Sequence, residues 1–112
     1  RNKLRTYTEF EYDTHGNEIN ESRFDSLGRF LGETVIDYDE IGNKTESLFY
    51  DSQRKLTSNT RYDHTSGKSV NLKYNEYGKV YEEIYFNEYD EITKVVQYEY
   101  DERGRLIRKK EL

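Results

Sequence analysis

An aromatic residue followed by Asp or Asn recurs eight times along the chain: Tyr12-Asp13, Phe24-Asp25, Tyr38-Asp39, Tyr50-Asp51, Tyr62-Asp63, Tyr74-Asn75, Phe86-Asn87 and Tyr100-Asp101. The steps between them are 12, 14, 12, 12, 12, 12 and 14 residues. Gly follows at the fourth place after the aromatic in five repeats (Gly16, Gly28, Gly42, Gly78, Gly104), and Gly67 arrives one residue late in a sixth. Asp or Asn opening a turn and Gly closing it is the signature of a type I turn that ends in a left-handed residue, the three-residue hairpin loop. The Asp side chain holds the turn, and Gly accepts positive φ without a Cβ clash. Asp13 then closes against Asn17, and each aromatic lies opposite the residue two beyond the Gly. That residue is Phe30, Leu56, Val80, Ile92 or Leu106 in five repeats, an apolar cross-strand partner.

These turns predict an all-β fold, an antiparallel meander of nine strands near 1–12, 17–24, 29–38, 43–50, 55–62, 69–74, 79–86, 91–100 and 105–112. Every step is even and a strand has a side-chain period of two, so all the marker aromatics are expected on one side of the sheet. Of 36 apolar residues, 23 sit at even positions, which supports that expectation. No sustained i, i+3, i+4, i+7 pattern competes, and Tyr, Thr and Val are strand formers. Arg54 and Asp90 occupy Gly places and are expected in the left-handed region. The segment from Asp63 to Ser69 is expected to widen to about five intervening residues so that Val70, Leu72 and Tyr74 stay on the apolar face.

One hundred and twelve residues make one small domain with little material for a core. Charged residues reach 37%, yet 15% aromatics argue against disorder. Without Cys there are no disulfides, thiolate catalysis or Cys-built zinc sites. No apolar run suits a membrane span. A net charge of -5 disfavours nucleic acid. Arg1 in place of an initiating Met suggests an upstream segment, and we read 1–112 as a single domain within a larger protein.

A one-sided sheet must cover its apolar face by curling, by closing into a barrel or by stacking. The residues eight places after the markers are Asn20, Gly32, Glu46, Ser58, Val70, Glu82, Lys94 and Arg108. Burying this mostly polar stripe would be costly, which favours an open or curled sheet over a closed barrel or a sandwich. On that register Glu82 lies diagonally beside Lys94. Both edge strands would present unpaired backbone groups, blunted by Arg1, Lys3, Arg5, Arg108, Lys109 and Lys110, or used for adjoining repeats or another copy.

A row of repeated Asp side chains could suggest catalysis or calcium, but a residue demanded by a turn appears in every turn, and calcium-loop spacing is absent. His15 and His64 read as solvated loop residues. Nucleophile, phosphate-loop and metalloprotease motifs are missing, so no enzyme, metal or cofactor is predicted. The best functional hint is a set of tyrosines: Tyr81 and Tyr85 on one strand, with Tyr77 and Tyr89 at its flanking turns. Their rings could stack on a carbohydrate or anchor a protein, or simply shield the sheet through pairs such as Lys73 with Tyr81. The sequons Asn20-Glu21-Ser22 and Asn43-Lys44-Thr45 are near chance expectation.

The strings YDTHG, FDSLGR, YDEIGN, YNEYGK and YDERGRL resemble the YD repeats of the Rhs family, whose core reads Tyr-Asp-x-x-Gly-Arg-Leu. Residues 100 to 106 match it at every defined place. Family members more commonly space complete motifs near twenty residues, with a second turn between. The resemblance implies a long antiparallel sheet in a secreted or cell-surface protein, mostly bacterial, that acts as a non-catalytic scaffold. In the larger members such a sheet forms a shell around cargo. At about 4.8 Å per strand, nine strands span roughly 43 Å, too little to enclose a folded protein.

Overall fold

The computed structural model describes residues 5–112. Among these residues nine strands follow one another: β1 (Thr6–Tyr12), β2 (Glu18–Asp25), β3 (Phe30–Tyr38), β4 (Lys44–Tyr50), β5 (Leu56–Asp63), β6 (Lys68–Tyr74), β7 (Val80–Phe86), β8 (Ile92–Tyr100) and β9 (Leu106–Glu111). They form one antiparallel sheet in sequence order. The part of the first expected strand that covers residues 1–4, with Arg1 and Lys3, lies outside the described residues. Among the described residues the backbone of each strand lies against only its sequence neighbours, so the sheet stays open and forms neither a barrel nor a sandwich. The molecule measures 49 × 37 × 28 Å. A flat sheet is only about 10 Å thick, and the third dimension reflects twist accumulated across the strands.

The turns form as the residue pattern predicts. In the first, the Asp13 N–H donates to the Asn17 carbonyl at 2.9 Å and the Gly16 N–H to the Asp13 carbonyl at 3.1 Å. The six turn glycines take φ between 76° and 91°, while Arg54 (φ 63°) and Asp90 (φ 61°) adopt the same conformation with a Cβ. Arg54 gains from its position, since its guanidinium stacks 4.1 Å from the Phe30 ring centroid and lies 3.6 Å from Glu33.

The expectation that all markers share one side is corrected by the register. In seven hairpins the marker aromatic pairs two beyond the Gly, as Tyr12 with Glu18 and Phe24 with Phe30, and the ladder then slips by one residue. The unpaired bulge residues are Ile19, Leu31, Thr45, Thr57, Tyr81, Thr93 and Ile107. Beyond each bulge, even-numbered residues face odd-numbered ones, as in Glu11 with Asn20 and Leu48 with Asn59. The remaining hairpin reaches the same parity without a bulge, by enlarging its loop. Asp63 pairs Lys68 and Tyr62 pairs Ser69, so four residues intervene rather than the five expected before Ser69.

Directly opposed residues share a face. Phe24, Tyr50, Tyr74 and Tyr100 therefore lie on a front face along one edge of turns, whereas Tyr12, Tyr38, Tyr62 and Phe86 lie on the back along the other edge. Each repeat is related to the next by a half-turn about the axis along which the strands stack. The polar stripe is split between faces in consequence. Glu82 faces back, pairing Lys73 at 3.3 Å and accepting from Gln97 at 2.9 Å, while Lys94 faces front over the Tyr85 ring at 4.4 Å. Neither the Lys73–Tyr81 pair nor the Glu82–Lys94 pair forms, because the bulge at Tyr81 sets Lys73 opposite Glu82 and the bulge at Thr93 sets Lys94 opposite Tyr85, on the other face from Glu82.

Apolar packing is thin and divided. Leu72 and Val96 are buried on the front and Ile36 on the back, and no large side chain among the described residues is fully enclosed. A front row runs Val35, Leu48, Asn59, Leu72, Glu83, Val96 across successive strands. Asn59, only 2% exposed, is its polar centre: it donates to Glu46 and accepts from the Tyr74 hydroxyl at 2.6 Å.

Candidate functional site: a tyrosine-lined cleft between turns

The repeated Asp side chains are occupied within their own turns. Asp13 Oδ1 accepts from the His15 and Asn17 N–H groups at 2.9 Å each, and Asp25, Asp39, Asp51 and Asp101 accept from the equivalent pairs of N–H groups. Asn75 and Asn87 do the same with an amide oxygen. Asp63 accepts from the Thr65 N–H and the Ser66 hydroxyl. Backbone donors, offset by partial desolvation and assisted by side-chain bonds from Asn17, Arg29, Asn43 and Arg105, hold Asp13, Asp25, Asp39 and Asp101 below the usual carboxylate range. The Ser66 hydroxyl lowers Asp63 first, then the Thr65 N–H.

A depressed folded-state pKa contributes stability that is present above the unfolded value and lost as pH falls through the folded one. Stability measured by urea titration should therefore drop below about pH 4. Replacing Asp13, Asp25, Asp39 and Asp101 by Asn, which already serves at Asn75 and Asn87, should leave the fold in place and flatten that acid limb. An unchanged limb would remove the turn carboxylates as its cause.

Successive turns on one edge enclose equivalent clefts. The first lies between turns 13–17 and 39–43, has a volume of about 680 Å³ and includes His15 and Ile19. Another, about 600 Å³, lies between turns 51–55 and 75–79 and includes Gln53 and Thr57. The third, about 730 Å³, lies between turns 75–79 and 101–105 and includes Tyr77, Tyr81, Tyr98, Tyr100 and Arg103. In each, one wall carries the middle turn residue and the bulge residue, and the other carries the next marker tyrosine of that edge. Tyr77 and Tyr81 thus occupy the positions held by Gln53 and Thr57 in one sibling cleft and by His15 and Ile19 in another.

Tyr77 is 79% exposed and Tyr81 43%. The marker tyrosines supply firm walls: the Tyr100 hydroxyl donates to the Val80 carbonyl, as the Tyr38 hydroxyl does to the Glu18 carbonyl at 2.8 Å. Lys79 sits 5.6 Å from the Tyr100 ring centroid. Tyr98 donates to Glu83 at 2.8 Å, and burial, reinforced by that carboxylate, pushes its phenol up to about 12. That phenol is consequently neutral across the physiological range.

The four tyrosines singled out by sequence do not form one surface. Tyr77 and Tyr81 border the cleft described above, whereas Tyr85 lines a different depression with Arg61, Val70 and Lys94. Tyr85 is already engaged, its ring under Lys94 and its hydroxyl on Glu83 at 3.1 Å. Tyr89, 75% exposed, stands at the opposite edge in turn 87–91. Tyr98 and Tyr100 join Tyr77 and Tyr81, with Tyr98 unmarked in the sequence because its partner strand is set by the bulge. His15 and His64 lie in separate turns of the same edge as Tyr89, and His64 Nδ1 is 3.9 Å from Asp39. No group of three or more metal-ligating side chains occurs among the described residues.

No protein-family model matches the chain, and no curated protein does. Among solved structures, a Bacteroides fragilis protein of unknown function is similar, with a TM-score of 0.54 at 12% identity. The match covers 97% of this chain and 91% of that one, and it establishes likeness of fold. Fold and site together define an open β-sheet repeat module of a structural or binding kind.

Proposed function

We propose that the chain is a non-catalytic recognition module and that the Tyr77–Tyr81 cleft takes a carbohydrate. The carrying observation is internal: among the described residues, this cleft has aromatic residues at both variable positions, where the two sibling clefts carry Gln53 and Thr57 or His15 and Ile19. A residue demanded by the repeat appears in all of them, while Tyr77 and Tyr81 do not. Exposed phenol faces stack on the C–H faces of sugar rings, and few rotamers are frozen on binding. Glu102 and Arg103 border the same cleft and can bond hydroxyl groups.

Tyr77→Ala and Tyr81→Ala should each weaken glycan retention at least about tenfold while the thermal transition stays in place. A glycan array and a pull-down that both return nothing would sink the proposal. Retention of a protein alone would move the site to protein recognition.

A second reading is favoured by the open edges at β1 and β9 and by the resemblance of YDERGRL and its siblings to YD repeats. The sheet would then be a scaffold segment of a secreted or cell-surface bacterial protein, flanked by further repeats. Under that reading the two tyrosine substitutions change neither stability nor assembly.

A further inference from the structure

The two edge strands, β1 (Thr6–Tyr12) and β9 (Leu106–Glu111), carry opposite net charge. Along β1, Glu9 and Glu11 face front opposite Ser22 and Asn20, and no ion pair among the described residues reaches either carboxylate. Along β9, Arg108 and Lys110 face back opposite Glu99 and Gln97, sharing the single Glu99 carboxylate at 2.7 and 3.9 Å. Every residue of both strands is exposed. Edge strands are ordinarily protected by like charges that repel one another. Opposite charges on opposite edges attract.

We propose that β9 of one molecule adds to β1 of a second copy, continuing the antiparallel sheet end to end. The inference is independent of the cleft. Its geometry follows from the half-turn relating successive repeats. β9 and β1 run the same way within one molecule, so antiparallel pairing requires the second copy to be rotated by that same half-turn. Rotation also exchanges the faces, bringing Glu9 and Glu11 of the second copy onto the back face, where Arg108 and Lys110 lie. Antiparallel alignment then sets Arg108 opposite Glu11 and Lys110 opposite Glu9, with Lys109 against Phe10 and Ile107 against Tyr12. The match runs from Ile107 to Glu111 of β9 against Tyr12 to Thr8 of β1. Such a contact is head-to-tail and leaves a free edge at each end, so it grows rather than closing.

Sedimentation of the whole chain from about 10 μM to about 1 mM tests this, with affinities in that range expected of a single strand pair. At about 50 mM salt the average mass should rise steadily with concentration, and raising salt to about 500 mM should reverse it. The charge-reversed chain E9K/E11K should be monomeric and keep its thermal transition, because neither carboxylate has an ion-pair partner among the described residues. R108E/K110E should be monomeric as well, and mixing the two variants should restore assembly. A wild-type chain that stays monomeric at about 1 mM and low salt would overturn the proposal. So would a closed dimer that stops growing, or a mixture of variants that remains monomeric.

Discussion

Gly32→Ala is expected to destabilise the chain by about 3 kcal/mol, a large share of the total for a small domain. Gly32 lies beside the bulge residue Leu31, opposite Arg23, with φ at 155°. A Cβ there would stand 2.8 Å from the Tyr50 carbonyl oxygen and 3.0 Å from an Arg23 guanidinium nitrogen. The first contact is with backbone of the neighbouring strand, so relief requires β3 and β4 to part. Gly78→Ala is the control: its φ is 79° but the space around it is open, and strain alone should cost about 1 kcal/mol. Urea midpoints for the two variants measure the difference, and equal losses would show that the approach of strand to strand at Gly32 matters little.

Asn59→Ala should cost about 2 to 3 kcal/mol, because two polar partners lose their bonds at the centre of the front row. The Tyr74 hydroxyl, raised in pKa first by burial, and the Glu46 carboxylate both depend on that amide. Tyr74→Phe removes one bond alone and should cost about 1 kcal/mol. Asn59→Asp gives a sharper signature, since it sets a second carboxylate against Glu46. The pair would hold a proton more tightly folded than unfolded, so this variant should gain stability relative to wild type as pH falls toward the carboxylate range. A variant whose deficit is the same at every pH would show that Glu46 and residue 59 are not coupled.

The strand ends were legible because the turn chemistry is local. Asp13, Gly16 and their counterparts declare each reversal, and even the left-handed Arg54 and Asp90 follow from position. Which way the side chains point was not legible, because the bulge residues Ile19, Leu31, Thr45, Thr57, Tyr81, Thr93 and Ile107 are of types that also fill regular strand positions. Any residue can be left unpaired beside a tight loop if the strand bends to accommodate it. One traceable signal was Val35, Phe49, Tyr85 and Val95, apolar residues at odd positions in mid-strand that a one-sided sheet would strand in water. The tyrosine cleft was half legible: Tyr77 and Tyr81 belong to it, but parity wrongly joined them to Tyr85 and Tyr89. Glu46 and Asn59 gave no signal at all, since their pairing depends on the slipped ladder.

Among the described residues, the backbone of each strand packs only on its immediate predecessor and successor. Almost every tertiary interaction therefore joins residues fewer than about thirty positions apart, as the register of the hairpins requires, and the chain closes no long loops as it folds. Its assembly is a zipper rather than a collapse: a central hairpin can form first and recruit flanking strands one at a time, and fraying runs inward from the two ends. Amide exchange should accordingly be slowest in β5 and fastest in β1 and β9, a gradient that a protein with an enclosed interior does not show.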